Sequence, residues 1–309
     1  MTAPMTAPHA PLTGEQLVRR RAGFDRPGFS GPTRQRRVPP VAAEFLSRQP
    51  MVVLGAADPA GRLWAGLLTG RPGFLQAESD PAGEVDAIAI AARPADGDPL
   101  AAVLAAPARV GGIALEPATR RRARLNGPCT PVGSGGLRIE LEQFFGNCPK
   151  YIQSRELLPA PDRPSLRPAS TSSHLTDHHQ ELISTADTFF LTTADGSGSP
   201  DTSHRGGNPG FVEVLGPNRL RWPDYSGNAM FATLGNLAEN PAAGLLFLDW
   251  RDGSVLQLTG TARTDWDPEH AARVPGAQRL VEFELTEAVG RSAAVPLRWG
   301  EPAYSPFNP

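Results

Sequence analysis

The sequence predicts a mainly β protein made of two small, closed or split β-barrels in tandem, the first a degenerate copy of the second. Three observations predict it. Short apolar segments alternate with Gly, Pro and Asp clusters along most of the 309 residues, the pattern of strands joined by tight turns. The stretch 52–75, "VVLGAADPAGRLWAGLLTGRPGFL", recurs at 189–212 as "FFLTTADGSGSPDTSHRGGNPGFV" without a gap, so that one offset carries Leu54 onto Leu191 and Phe74 onto Phe211. The repeat then continues, with 107–127 matching 241–260 and 137–148 matching 281–292. Closure into barrels is the economical arrangement for so many short strands, because it leaves few exposed edges. One large irregular α+β domain is the alternative.

Each element follows in order. Residues 1–39 read as an N-terminal arm with one short helix over 13–23, where Thr13 caps and Gln16 falls three residues later. Residues 40–158 make the first barrel, 159–173 a Pro/Ser-rich linker, and 174–309 the second barrel. In each half an apolar strand enters an Asp/Gly turn, and a second strand ends at a Pro-Gly corner. Each half should hold about six strands, with a helix between strands three and four. Ile139, Leu141, Phe283 and Leu285 alternate as on half-buried strands.

Net charge is −2 and pI about 6.3. No broad basic field exists to attract nucleic acid or acidic membranes. Only Cys129 and Cys148 are cysteines, so no disulfide framework is readable and a reducing compartment is expected. No apolar run approaches the ~20 residues of a membrane helix, and the N-terminus lacks the apolar middle of a secretory signal. A cytoplasmic protein is the expectation.

The candidate chemistry lies in the second half. Residues 203–211 read "SHRGGNPGF". The strand "RLRW" meets Pro223-Asp224, read as a turn. A helix is then expected to start near Ser226, Gly227 and Asn228 and to run to Asn240. Free N–H groups at such a start suit an anion, and Arg205 on a neighbouring strand could add a bidentate contact. The same residues also read as an ordinary capped helix with a solvent-facing Arg.

These stretches, with "LQLTGTAR" and "FFGNCPKYIQSRE", resemble the pyridoxamine 5'-phosphate oxidase-related FMN-binding split barrels. The resemblance covers roughly 45–155 and 180–309 and is closer in the second half. It implies two split barrels, FMN as cofactor, and a flavin lying between barrels. It places Ser203 and Arg205 toward the flavin and its phosphate, with His204 on the opposite strand face as a further candidate. Tyr225, Ser226, Gly227 and Asn228 match the phosphate-binding turn, and Gln257 is the amide for the ring edge. The family's Arg-Lys pair is replaced by Gly-Asn, so a vitamin B6 phosphate substrate is not implied. The implied activity is an FMN-dependent oxidoreductase acting on a small molecule or electron donor. The alternatives are an FMN-binding or storage protein, or a deazaflavin-dependent reductase.

The repeat adds that Ser203, His204 and Arg205 correspond to Gly66, Leu67 and Leu68. The first barrel should therefore bind no phosphate, giving one FMN per chain. The two barrels could form within one chain the interface that single-barrel relatives make by dimerising, and whether a homodimer also forms is left open. Lys150, the sole lysine, reads either as a cation at the flavin edge or as a packed strand end. The run "TRRRAR" at 119–124 reads as a solvated edge. His174, His178 and His179 read as solvated or capping, and no metal site is expected.

Overall fold

The computed structural model describes residues 12–24, 34–79, 83–146, 148–159, 168–227 and 229–309. Most of the linker and part of the N-terminal arm lie outside them.

The arm contributes α1 (Gly14–Arg21), opened by the expected capping box between Thr13 and Gln16. The first barrel follows as α2 (Pro40–Ser47), β1 (Met51–Ala57), β2 (Leu63–Thr69), β3 (Leu75–Ser79), β4 (Val85–Ile90), α3 (Pro99–Val103), β5 (Ala108–Glu116), β6 (Arg121–Val132), β7 (Gly136–Glu140) and β8 (Gln143–Gly146). Its sheet order is β2-β1-β5-β6-β7-β4-β3, with β8 also on β6. Two short strands, β9 (Leu157–Leu158) and β10 (Ser170–Ser172), lie between the barrels in sequence.

The second barrel repeats the plan with α4 (Asp177–Thr185), β11 (Thr188–Ala194), β12 (Pro200–Gly206), β13 (Glu213–Gly216), β14 (Arg219–Tyr225), α5 (Ala232–Glu239), β15 (Ala242–Leu248), β16 (Val255–Asp265), α6 (Pro268–Ala272), β17 (Ala277–Arg291) and β18 (Arg298–Trp299). Its order, β12-β11-β15-β16-β17-β14-β13, is that of the first barrel strand for strand. The main helix falls between the fourth and fifth strands of each barrel, one strand later than expected.

Two further expectations need correction. Pro223-Asp224 is not a turn. β14 runs through both to Tyr225, and Pro223 sits where β14 has passed the end of β13, an edge position that needs no proline N–H. Nor does α5 start at 226–228. Ala229 and Phe231 both have left-handed backbone, with φ of 56° and 51°, which a right-handed helix cannot include. The helix starts after Phe231, and no side chain caps it.

Each barrel closes on its own core, Leu54, Leu68, Ile88 and Leu125 among others in the first and Phe189, Leu191, Trp222 and Phe247 in the second. A third apolar cluster lies between them: Met51, Val53, Leu67 and Ile113 meet Phe190, Leu246, Leu248 and Trp250. On β1, Val52 and Leu54 face the barrel core while Met51 and Val53 face this seam. Strand alternation thus gives two buried faces, which is why β1 reads as a continuous apolar run.

The seam has approximate twofold symmetry. β2 contacts β15 and β16, while its twin β12 contacts β5 and β6. Close backbone approach marks both crossings. A Cβ on Gly111 would lie 2.6 Å from Asp201 Cα, and one on Gly244 would lie 2.6 Å from the Leu63 carbonyl oxygen.

Candidate functional site

At one end of the seam a cavity of about 140 Å³ opens between the barrels. β12 brings His204 and Arg205 to it, and β14 brings Asp224 and Tyr225. The loop before α5 supplies Ser226, Gly227 and Phe231, and Lys150 and Tyr151 enter from the tail of the first barrel. Among the described residues five cations line it (Arg122, Arg124, Lys150, Arg205 and Arg279) against one carboxylate, Asp224.

The polar contacts are specific. Arg205 Nη1 donates to Asp224 Oδ1 at 2.9 Å. Arg279 forms an ion pair with the other carboxylate oxygen at 3.3 Å, with its guanidinium over the Phe231 and Trp266 rings. Arg122 Nη1 lies 3.1 Å from His204 Nδ1, and its Nη2 donates to the Cys148 carbonyl at 2.7 Å. Arginine can only donate, so His204 Nδ1 accepts, and the neutral ring carries its proton on Nε2. Tyr151 donates its hydroxyl to the Ser226 carbonyl at 2.9 Å, and its ring stands 5.1 Å from that of Tyr225.

Burial governs the electrostatics. It pushes Arg122 down to about 9, helped by the nearby Arg124 and Arg205 charges. Burial, then Arg122, Arg205 and Arg124, holds His204 well below the ordinary imidazole value. Burial also pushes Tyr225 up to about 12. Several buried donors here have no hydrogen-bond partner among the described residues: Nε of Arg122, Arg124 and Arg205, Nε2 of His204, and Nη1 of Arg279 beyond its ion pair. Such groups are costly unless something pairs with them. An anion with several acceptor oxygens fits them.

The structure brings together His204, Arg205, Tyr225, Ser226, Gly227 and Lys150 from the candidate residues. Asn228 lies outside the described residues. Ser203 is adjacent but turned into the second barrel, accepting from Thr233 Oγ1 and donating to the Leu191 carbonyl. Strand alternation holds: Ser203 and Arg205 face Thr233 and Asp224, and His204 faces Arg122 of the first barrel. Gln257 is elsewhere, fully buried and bonded to Ala65, Asp98 and Arg291. Lys150 lines the cavity with its ammonium 5.4 Å from the Phe307 ring.

Arg122 and Arg124 were not foreseen at the site. Their run is no solvated edge, since β6 lies between β5 and β7 and Arg124 is buried. The signal was the period of two: Arg122 and Arg124 share one face, while Ala123 and Leu125 point into the core. His179 closes a capping box with Thr176 at the start of α4.

Fold and site together define a tandem split barrel with a cationic cavity at its seam. Residues 175–294, which span most of the second barrel, match the sequence model of the family described as pyridoxamine 5'-phosphate oxidase. No curated protein matches the chain. Among solved structures, HupZ of Group A Streptococcus is similar over 36% of this chain and 88% of its own, at 14% identity and TM-score 0.29. The FAD binding protein of Mycobacterium smegmatis is similar over 39% and 98%, at 15% identity and TM-score 0.29. A Clostridium acetobutylicum protein related to general stress protein 26 is similar over 40% and 92%, at 14% identity and TM-score 0.27. Among the described residues, no helix is long and apolar enough to cross a membrane.

Proposed function

We propose that this protein binds one FMN at the seam and serves as a flavin-dependent oxidoreductase. One observation carries the reading: among the described residues five cations and one carboxylate line the cavity of a barrel from this family, and the arginines and His204 there keep N–H groups without a hydrogen-bond partner. Arg205, Arg122 and Arg279 would hold the phosphate by charge-assisted hydrogen bonds, which are the strong ones. Asp224 keeps Arg205 and Arg279 oriented before the ligand arrives. Tyr151 and Tyr225 offer an aromatic wall, and His204 Nε2–H one neutral donor. Lys150 stands at the cavity as a cation that can stabilise developing negative charge. A bound flavin would supply the hydride or electron chemistry.

The test is spectroscopic. Purified protein titrated with FMN should take up one equivalent per chain and show flavin absorbance. FAD and a deazaflavin, titrated in parallel, decide the cofactor. Bleaching by a nicotinamide donor supports an oxidoreductase, whereas a bound flavin that no donor reduces makes the protein a flavin carrier. A protein that binds none of the three overturns the reading.

A further inference from the structure

The approximate twofold of the seam demands a counterpart of the cavity against the first barrel. Strand register locates it. Ile113 pairs with Arg124, and its twin Leu246 pairs with Gln257, so Gln257 stands where the second site has Arg124. Leu54 pairs with Gly66 and Leu191 with Ser203, so Gly66 stands for Ser203. Asp98 precedes α3 as Phe231 precedes α5.

At this counterpart the Asp98 side chain is fully shut from water. Its Oδ2 accepts from Arg291 Nη2 at 2.6 Å, and its Oδ1 accepts from Gln257 Nε2 at 3.0 Å and from the Leu100 N–H at 2.9 Å. Arg291 Nε reaches back to Gln257 Oε1 at 3.2 Å. The carboxylate rests directly over β2: a Cβ on Gly66 would lie 3.0 and 3.1 Å from its two oxygens. Two donors from the second barrel therefore converge on a carboxylate belonging to the first, where the other end of the seam presents arginines with unpartnered N–H groups.

We propose that Asp98 is a built-in anion. Its carboxylate takes, in the first barrel, the place that the second barrel leaves for a ligand's oxyanion, and so limits the chain to one anionic ligand. Removing that carboxylate leaves Arg291 Nη2 without its acceptor and Gln257 Nε2 with the Ala65 carbonyl alone, and creates a second oxyanion site, for a small carboxylate or a phosphate. This rests on the reading of the seam cavity as an anion site.

The experiment uses the full chain with Asp98→Ala, and equilibrium dialysis against labelled inorganic phosphate. Parent protein should bind one equivalent and the variant two. Acetate, a carboxylate the size of the deleted group, should raise the variant's Tm and leave the parent's unchanged. A folded variant that keeps one equivalent and ignores acetate overturns the proposal. Asp98→Ser keeps a hydroxyl at the helix cap while vacating the space of the carboxylate, and the same readings apply if the alanine variant does not fold. If neither folds, recovery in phosphate buffer but not in chloride supports the proposal, and recovery in neither overturns it. A parent that binds no phosphate beside a variant that binds one would instead refute the anion reading of the second barrel alone.

Discussion

Arg124 of the first barrel and Asp201 of the second form an ion pair across the seam, their side chains 7% and 8% exposed. Asn126 completes it, donating to the other carboxylate oxygen at 3.0 Å. Burial drives the Arg124 guanidinium down, and Asp201 draws it back up. Forming such a pair adds little net stability, because desolvation offsets attraction, but losing one partner strands a buried charge. Asp201→Ala should therefore lower stability by about 3–5 kcal/mol in urea unfolding. Arg124→Met combined with Asp201→Leu should recover much of the loss. Additive losses in the double variant would show that the pair is not coupled.

The twin positions Arg205 and Leu68 separate ligand grip from packing. Arg205→Ala removes one charge-assisted contact worth about 1.5–3 kcal/mol, hence a flavin affinity about 10–150-fold weaker. Arg279 stays on Asp224, so the carboxylate keeps a partner. Leu68→Ala should cost about 2–5 kcal/mol of stability with no direct loss of a ligand contact. Flavin titration and thermal unfolding of both variants read the two effects apart, and equal flavin affinity in both would remove Arg205 from the site.

His204 should make stability fall in mild acid. Its folded pKa is depressed, by burial first and then by Arg122, Arg205 and Arg124. The unfolded chain therefore binds a proton that the folded protein refuses. Stability is fully present above the unfolded imidazole value, about 6.5, and is lost as pH falls toward the folded value, by up to about 1.4 kcal/mol per pH unit. His204→Gln should flatten that slope between pH 6.5 and 5 in denaturant titrations. An unchanged slope would place the acid sensitivity elsewhere.

Gly244→Val tests the tightness of the seam. The added Cβ would meet the Leu63 carbonyl and Trp64 Cα, both backbone, so relief requires the barrels to part. The expected cost is about 3 kcal/mol, read as a lower urea midpoint. Gly216→Ala, with nothing within 4 Å of its added Cβ, should be neutral.

The duplication was legible because turn glycines and prolines recur at one offset. The same offset carries α2 onto α4 and β1, β2 onto β11, β12. Arg205 was legible as a candidate because its twin in the first half is Leu68, and Tyr225 and Lys150 because the stretches that hold them carry the family resemblance. Arg122 and Arg124 were missed because the group they serve lies in the other barrel, some 80 residues on by the spacing of Arg122 and His204, and only tertiary packing joins them. The late start of α5 turns on Phe231, held left-handed while its ring packs edge-on against Phe24 at 5.6 Å and under Arg279 at 5.2 Å. No local propensity announces that. Gln257 lay on the right strand but serves the opposite end of the twofold.

Because both barrels belong to one chain, the seam cannot be lost by dilution. A cavity shared between two separate chains empties as they part at low concentration. Here the partner surface stays tethered, at an effective local concentration of order millimolar or more. The cavity that Arg122 and Arg205 share should therefore keep its ligand affinity down to the lowest protein concentrations an assay can reach.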